Sequence, residues 1–185
     1  MTGLSVKALF LDRDGVINYD SGYTSNKESF VFIDGIFDLC RAAIESGYVL
    51  FVVTNQAGIG RGYYTEQDFL NLSSWMCEQF VAQQCPIQEV FFCPYHPEHG
   101  TGVYKQESFH RKPNPGMLLD AAEKYSINLA ESMMIGDKDS DMGAARNAGV
   151  NVRCHYIPGG RDEQPSPLAT HIIHTLSQAI SLLKQ

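Results

Sequence analysis

The 185-residue sequence has no closely spaced pair of cysteines, no basic surplus, no long apolar run, no internal repeat and a single tryptophan. Most of these absences exclude something. The five cysteines (Cys40, Cys77, Cys85, Cys93, Cys154) are odd in number and scattered, with no CxxC pair. A disulfide framework is therefore not expected, and a reducing cytosol is the natural setting. Lysine and arginine number 14 against 21 acidic residues, a formal charge of −7, which argues against nucleic acid or an anionic membrane held by bulk electrostatics. No stretch approaches the roughly 20 apolar residues that span a bilayer. The start, "MTGLSVKALFLDRDG", lacks the apolar segment and cleavage pattern of a signal peptide. The expectation is a cytoplasmic protein with a small-molecule partner, no nucleic-acid or membrane partner, and a monomeric state, since no exposed apolar stripe is evident.

What is present is an ordinary globular composition, 44% apolar and 19% charged, over a length that suits one domain spanning 1–185. Short apolar bursts at 7–12, 48–55, 89–93, 132–137 and 151–157 read as strands buried on both faces. Between them lie helical patterns. Residues 35–46 place Ile36, Leu39, Cys40, Ala43 and Ile44 on one face, with Gly47 as a C-terminal stop. Thr65 and Asp68 form a capping-box pattern opening a helix to about Gln83. Asn114 reads as an N-cap with Pro115 at the first helical position. "DMGAARNAGV" is a small-residue helix closed by Gly149, and "TLSQAISLLK" a final amphipathic helix. The Pro/Gly-rich stretch 158–167 reads as a surface loop. This alternation predicts an α/β fold: a doubly wound three-layer sandwich around a central parallel sheet, Rossmann-like in kind. In such sheets ligands bind at the carboxyl edge.

Two strand ends carry acids there: Asp12 and Asp14 in "FLDRDGVIN", and Asp137 and Asp141 in "IGDKDSD". A lone Asp-x-Asp-Gly is most simply a strand end followed by a turn. Two acidic strand ends brought to one edge repel unless a hard divalent cation lies between them, and oxygen donors without thiolate indicate Mg²⁺. Thr54 adds a hydroxyl and Lys112 a positive charge, a grouping suited to a phosphoryl group.

"DRDGVIN", "VVTNQ", "RKPNPG" and "IGDKDSDM" resemble, in order and in placement, the four motifs of the haloacid dehalogenase-like phosphatases. The resemblance implies that Asp12 is the nucleophile forming an aspartyl-phosphate and that Asp14 is the general acid and then the base. It implies Mg²⁺ held by Asp12, Asp137 and the Asp14 carbonyl, and a phosphoryl group held by Thr54 and Lys112. Asp141 is expected to brace Lys112 or the metal's surroundings rather than ligate directly. The spacing between motifs leaves no room for an inserted cap domain, so the site should be open and shaped by loops 18–29, 56–64 and 93–111. "NQAGIGRGYYT" lacks the G-x-G-x-x-G spacing of a dinucleotide loop. It reads as flexible backbone near a phosphate, with Arg61 either reaching a second anion or solvated.

The wider pattern is similar to the subgroup of heptose-bisphosphate and histidinol-phosphate phosphatases, which implies a sugar phosphate substrate, with histidinol phosphate as the alternative. A catalytically inactive phosphosugar-binding module is a third reading, opposed by the intact motif residues. Substrate recognition would fall to Asp20, Ser21, Gly22, Tyr23, Asn55, Gln56, Arg61, Arg111 and Lys138. In that subgroup the long loop carries a structural zinc on C-x-H and C-x-C. Here the positions hold Cys93 and Tyr95, then Ser108 and His110, and two ligands do not close a tetrahedral site. A rearranged set of Cys93, His96, His99 and His110 is chemically conceivable, but the expectation is a loop without zinc.

Overall fold

The computed structural model describes residues 6–184. Six parallel strands form one sheet: β1 (Lys7–Leu11), β2 (Tyr48–Asn55), β3 (Ile87–Cys93), β4 (Met133–Gly136), β5 (Val152–Tyr156) and β6 (His171–Ile173), in the order β3-β2-β1-β4-β5-β6. The helices are α1 (Ile36–Glu45), α2 (Ala57–Gly60), α3 (Glu66–Ala82), α4 (Gly116–Tyr125), α5 (Asp139–Ala148) and α6 (Leu176–Ile180). Successive strand residues face opposite ways, so β1 feeds two cores. Leu9 and Leu11 pack with Leu39 of α1, Met76 and Phe80 of α3 and Leu176 of α6. Ala8 and Phe10 pack with Met117, Leu118 and Ala121 of α4 and with Met142 and Ala145 of α5. The two layers of helices cover both faces of the sheet, as the continuous apolar strands require. Between β1 and β2, and between β2 and β4, the described residues form only single helices, a strand and loops, with no inserted domain.

Several local expectations change. β6 has only three residues at the sheet's edge, too short to carry a periodic signal. The final helix is Leu176–Ile180, ending well before the apolar pattern does. The N-cap of α4 is Pro115 rather than Asn114; the Asn114 amide instead donates to the Ser108 carbonyl at 2.9 Å. The glycine-rich run after β2 is not loose backbone, because 57–60 fold into one helical turn with Gly58, Ile59 and Gly60 buried. The capping box of α3 is formed, with the Thr65 hydroxyl and the Asp68 carboxylate bonding reciprocally. Gly47 and Gly149 both follow their helices with positive φ.

Candidate active site

The strand order sets β1 beside β4, with Leu11 opposite Ile135, and the Asp12 N–H donates to the Ile135 carbonyl at 3.1 Å. That pairing puts Asp12 and Asp137 at adjacent strand exits. The turn after β1 then passes so close to Asp137 that only glycine fits at residue 15: its φ is +90°, and a Cβ there would lie 2.1 Å from Asp137 Oδ2.

Carboxylate oxygens of Asp12, Asp137 and Asp141 come within 4.8 Å of one another, all three side chains buried. Lys112 reaches this cluster from the loop after β3. Its Nζ lies 2.9 Å from Asp12 Oδ1 and 2.5 Å from Asp141 Oδ1, and donates to the Val53 carbonyl at 2.8 Å. Asn55 fixes the lysine's peptide unit: the Lys112 N–H donates to Asn55 Oδ1 and Asn55 Nδ2 donates to the Lys112 carbonyl, each at 3.0 Å. Asp141 also accepts the Lys138 N–H through Oδ2 at 3.0 Å, closing the first turn of α5.

One lysine does not balance three buried carboxylates. Burial, reinforced by Asp141, raises the Asp12 carboxyl despite Lys112 beside it. Burial and the Asp12 charge push Asp137 up to about 7. Burial alone would lower Lys112, but Asp12 and Asp141 outweigh it and hold it protonated above its usual range. Asp137 Oδ1 is buried without a hydrogen-bond partner among the described residues. Such an orphan costs about 1–3 kcal/mol, more for a charged group. An oxygen-only donor set with an unpartnered buried carboxylate oxygen fits a hard divalent cation.

Asp14 sits apart from the cluster on the wall of a cleft of about 300 Å³. It accepts hydrogen bonds from Arg13, from Asn18 Nδ2 at 3.0 Å and from Gln56 Nε2 at 3.0 Å. Gln56 Nε2 also donates to Thr54 Oγ1 at 2.8 Å, and Gln56 Oε1 accepts from the Tyr64 hydroxyl at 2.5 Å. Burial raises that phenol to about 12, so it remains a donor. A smaller recess of about 40 Å³, lined in part by Asp12, Lys112 and Asp141, shares Asp14, Asn55, Lys138 and Ser140 with the cleft.

Of the recognition residues expected from sequence, Asp20, Gly22, Tyr23, Asn55, Gln56, Arg111 and Lys138 line the cleft. Ser21 and Arg61 do not: Ser21 Oγ bonds Thr24 Oγ1 at 3.2 Å, and the Arg61 guanidinium lies 5.8 Å from the Tyr23 ring centroid. Asn55 and Gln56 use their amides on Lys112, Asp14, Thr54 and Tyr64, so they order the site as well as line it. Arg111 donates to the Tyr95 carbonyl at 3.2 Å. Cys93, His96, His99 and His110 do not converge on a common point. His96 Nδ1 accepts the N–H groups of Glu98 and His99 at 3.2 and 3.1 Å, and His110 pairs with Asp120 at 2.8 Å.

Sequence reasoning missed Arg13, Tyr64, Ser140, His155 and Arg161. Arg161 comes from the 158–167 stretch, its Nη1 3.4 Å from Asp137 Oδ2. His155 is buried on β5; its Nδ1 accepts the Ser166 N–H at 3.0 Å, leaving Nε2–H for the Asp137 carbonyl at 3.2 Å. No periodicity or motif marks either residue. Arg13 and Ser140 stand inside quoted motifs and were readable there as positions, though not as contacts.

A family of HAD-hydrolase-like proteins matches residues 109–179. A Burkholderia mallei D-glycero-alpha-D-manno-heptose-1,7-bisphosphate 7-phosphatase is 58% identical over 79% of this chain and 77% of its own length. The chain belongs to the haloacid dehalogenase-like phosphatases. Within that family, a Vibrio cholerae D-glycero-beta-D-manno-heptose-1,7-bisphosphate 7-phosphatase is 44% identical over 91% of both chains. The crystal structure of D,D-heptose 1,7-bisphosphate phosphatase from B. bronchiseptica, complexed with magnesium and phosphate, superposes with a TM-score of 0.83 at 25% identity, over 96% of this chain and 98% of that one. The fold of this phosphatase is thus the family's: a parallel sheet between helices, with the motif residues at its carboxyl edge.

Proposed function

We propose that this phosphatase removes the C7 phosphate of a D-glycero-D-manno-heptose 1,7-bisphosphate, leaving the 1-phosphate. The carrying observation is the 58% identity to a 7-phosphatase of that substrate, together with a cleft that presents Arg111 and Lys138 beside the catalytic recess. Two cationic side chains near a phosphate site suit a substrate with a second phosphate.

In this reading an Asp12 oxygen bonds to phosphorus while the bond from phosphorus to the sugar oxygen breaks, and the Asp14 proton passes to that oxygen. Water then attacks the aspartyl-phosphate, giving its proton to Asp14 and releasing Asp12. Lys112 against Asp12 favours its ionised form while burial and Asp141 oppose it, and a cation bound there would tip the balance toward the carboxylate needed for attack. Thr54 and Lys112 hold the transferring group. Mg²⁺ would be held by Asp12, Asp137 and the Asp14 carbonyl, and supplies charge neutralisation between nucleophile and phosphate. The unpartnered Asp137 Oδ1 supports that assignment. Asp141, ion-paired with Lys112 and accepting the Lys138 N–H, serves as a brace. The 93–111 loop is read as zinc-free, since His96 Nδ1 is taken by backbone N–H groups and His110 pairs with Asp120, away from Cys93.

Steady-state kinetics with Mg²⁺ on the α and β heptose bisphosphates and on histidinol phosphate test the substrate. The expected order places one heptose anomer first; a higher kcat/KM for histidinol phosphate overturns the reading. Asp12→Asn, which changes charge at nearly constant volume, is expected to remove turnover by more than about 10³-fold with the fold retained by circular dichroism. Activity within tenfold of wild type sinks the nucleophile assignment.

A further inference from the structure

Between the two motif aspartates stands Arg13, which the chemistry above does not use. Side-chain alternation at the strand exit turns it toward α3 while Asp12 faces Lys112. The side chain is 1% exposed, with its guanidinium carbon 5.6 Å from the centroid of the Phe69 ring. Nε and Nη2 donate to Asp14 Oδ1 at 3.2 and 2.9 Å, and Nη2 donates to Oδ2 at 2.9 Å. Nη2 also donates to the Thr24 carbonyl at 2.8 Å. One nitrogen thus joins the Asp14 carboxylate to the loop that carries Asp20, Gly22 and Tyr23.

Stability is a poor explanation for this arrangement. The desolvation of a buried ion pair offsets most of its Coulomb attraction, and Arg13 Nη1 is buried with no partner among the described residues. Direction is a better one. Asp14 is held by a fork on one side and by Asn18 and Gln56 on others, yet stays 17% exposed to the cleft. A carboxylate that must meet a leaving oxygen within hydrogen-bond reach gains from such fixing.

We propose that Arg13 is a positioning residue for the acid–base carboxylate: anchored on the Thr24 carbonyl and set over the Phe69 ring, its fork aims Asp14 at the leaving oxygen. The inference rests on Asp14 being the general acid, as read above. A fork is needed because a lysine supplies charge without planar, two-point direction.

Phenyl phosphate and p-nitrophenyl phosphate test it, because they are similar in size, neither carries a sugar, and phenolate is much the poorer leaving group. kcat/KM reports the first half-reaction, in which the proton is delivered, separately from hydrolysis of the aspartyl-phosphate. Arg13→Met is expected to lower kcat/KM for phenyl phosphate about 10²-fold and for p-nitrophenyl phosphate less than about fivefold, because a general acid matters most for a poor leaving group. Arg13→Lys should fall between. Equal losses on the two substrates overturn the inference. Asp14→Asn, run alongside, separates the two ideas. If it too loses both substrates equally, the acid assignment has failed; if it discriminates and Arg13→Met does not, only the Arg13 role has. Should Arg13→Met not fold by circular dichroism, Arg13→Lys is judged by the same ratio.

Discussion

Gly15 shows how tightly the site constrains a single residue. Its left-handed φ of +90° and the 2.1 Å approach of Asp137 Oδ2 leave no room for a methyl group. Gly15→Ala is expected to displace Asp137, raise the Mg²⁺ concentration for half-maximal activity about tenfold or more and cost about 1–3 kcal/mol of stability. A Mg²⁺ titration of activity and a urea melt check both; an unchanged Mg²⁺ requirement refutes the argument. Residues of this kind were partly legible. Asp12, Thr54 and Asp137 could be read because their residue types recur in ordered motifs at strand ends, and Lys112 because its motif closes the long loop. The duties of Asn55 and Gln56 could not, because Lys112 and Asp14 lie 57 and 42 residues away in the chain; Arg13 adjoins Asp14, but its anchor on Thr24, 11 residues on, appears only in the fold.

Among the elements, the five longer strands were legible from their unbroken apolar runs, and α1 and α3 from spacing and caps. The edge strand β6 and the turn of α2 were not, since three or four residues carry no period. The 93–111 loop is the instructive case. The Thr101 N–H and hydroxyl both donate to the Gly60 carbonyl, at 2.8 and 2.9 Å. The Gly100 N–H donates to the His96 carbonyl at 3.0 Å. The Tyr104 hydroxyl donates to Glu66 Oε1 at 2.9 Å, and its ring centroid lies 6.0 Å from that of Tyr95. These contacts order the loop through α2 and α3. Protein purified without a His-tag is therefore expected to hold far less than about one zinc per chain and to keep its melting temperature under a zinc-selective chelator in excess Mg²⁺. Stoichiometric zinc in elemental analysis, lost together with stability on chelation, would contradict this.

For the molecule as a whole, the sheet's carboxyl edge gathers acidic charge in excess of its buried lysine, and that excess links stability to pH. Asp137 rises from an ordinary 3.8 to about 7 on folding, so between those values the native state holds more protons than the unfolded chain. Stability of the cation-free protein therefore falls as pH rises from about 4 through about 7. Saturating Mg²⁺ should flatten this slope, because a bound cation replaces the proton. Melting temperatures from pH 4 to 8, with EDTA and with Mg²⁺, measure both; identical slopes exclude the linkage. One further consequence follows from the paired amide bonds between Asn55 and Lys112. They make the lysine's backbone an extension of β2, although its chain position is at the end of a long loop. The preceding segment can then hold Tyr95, Ser108 and His110 at positions where the subgroup resemblance implies metal ligands, while the ammonium stays at its post. The clamp uncouples the chemistry from whatever residues fill that loop.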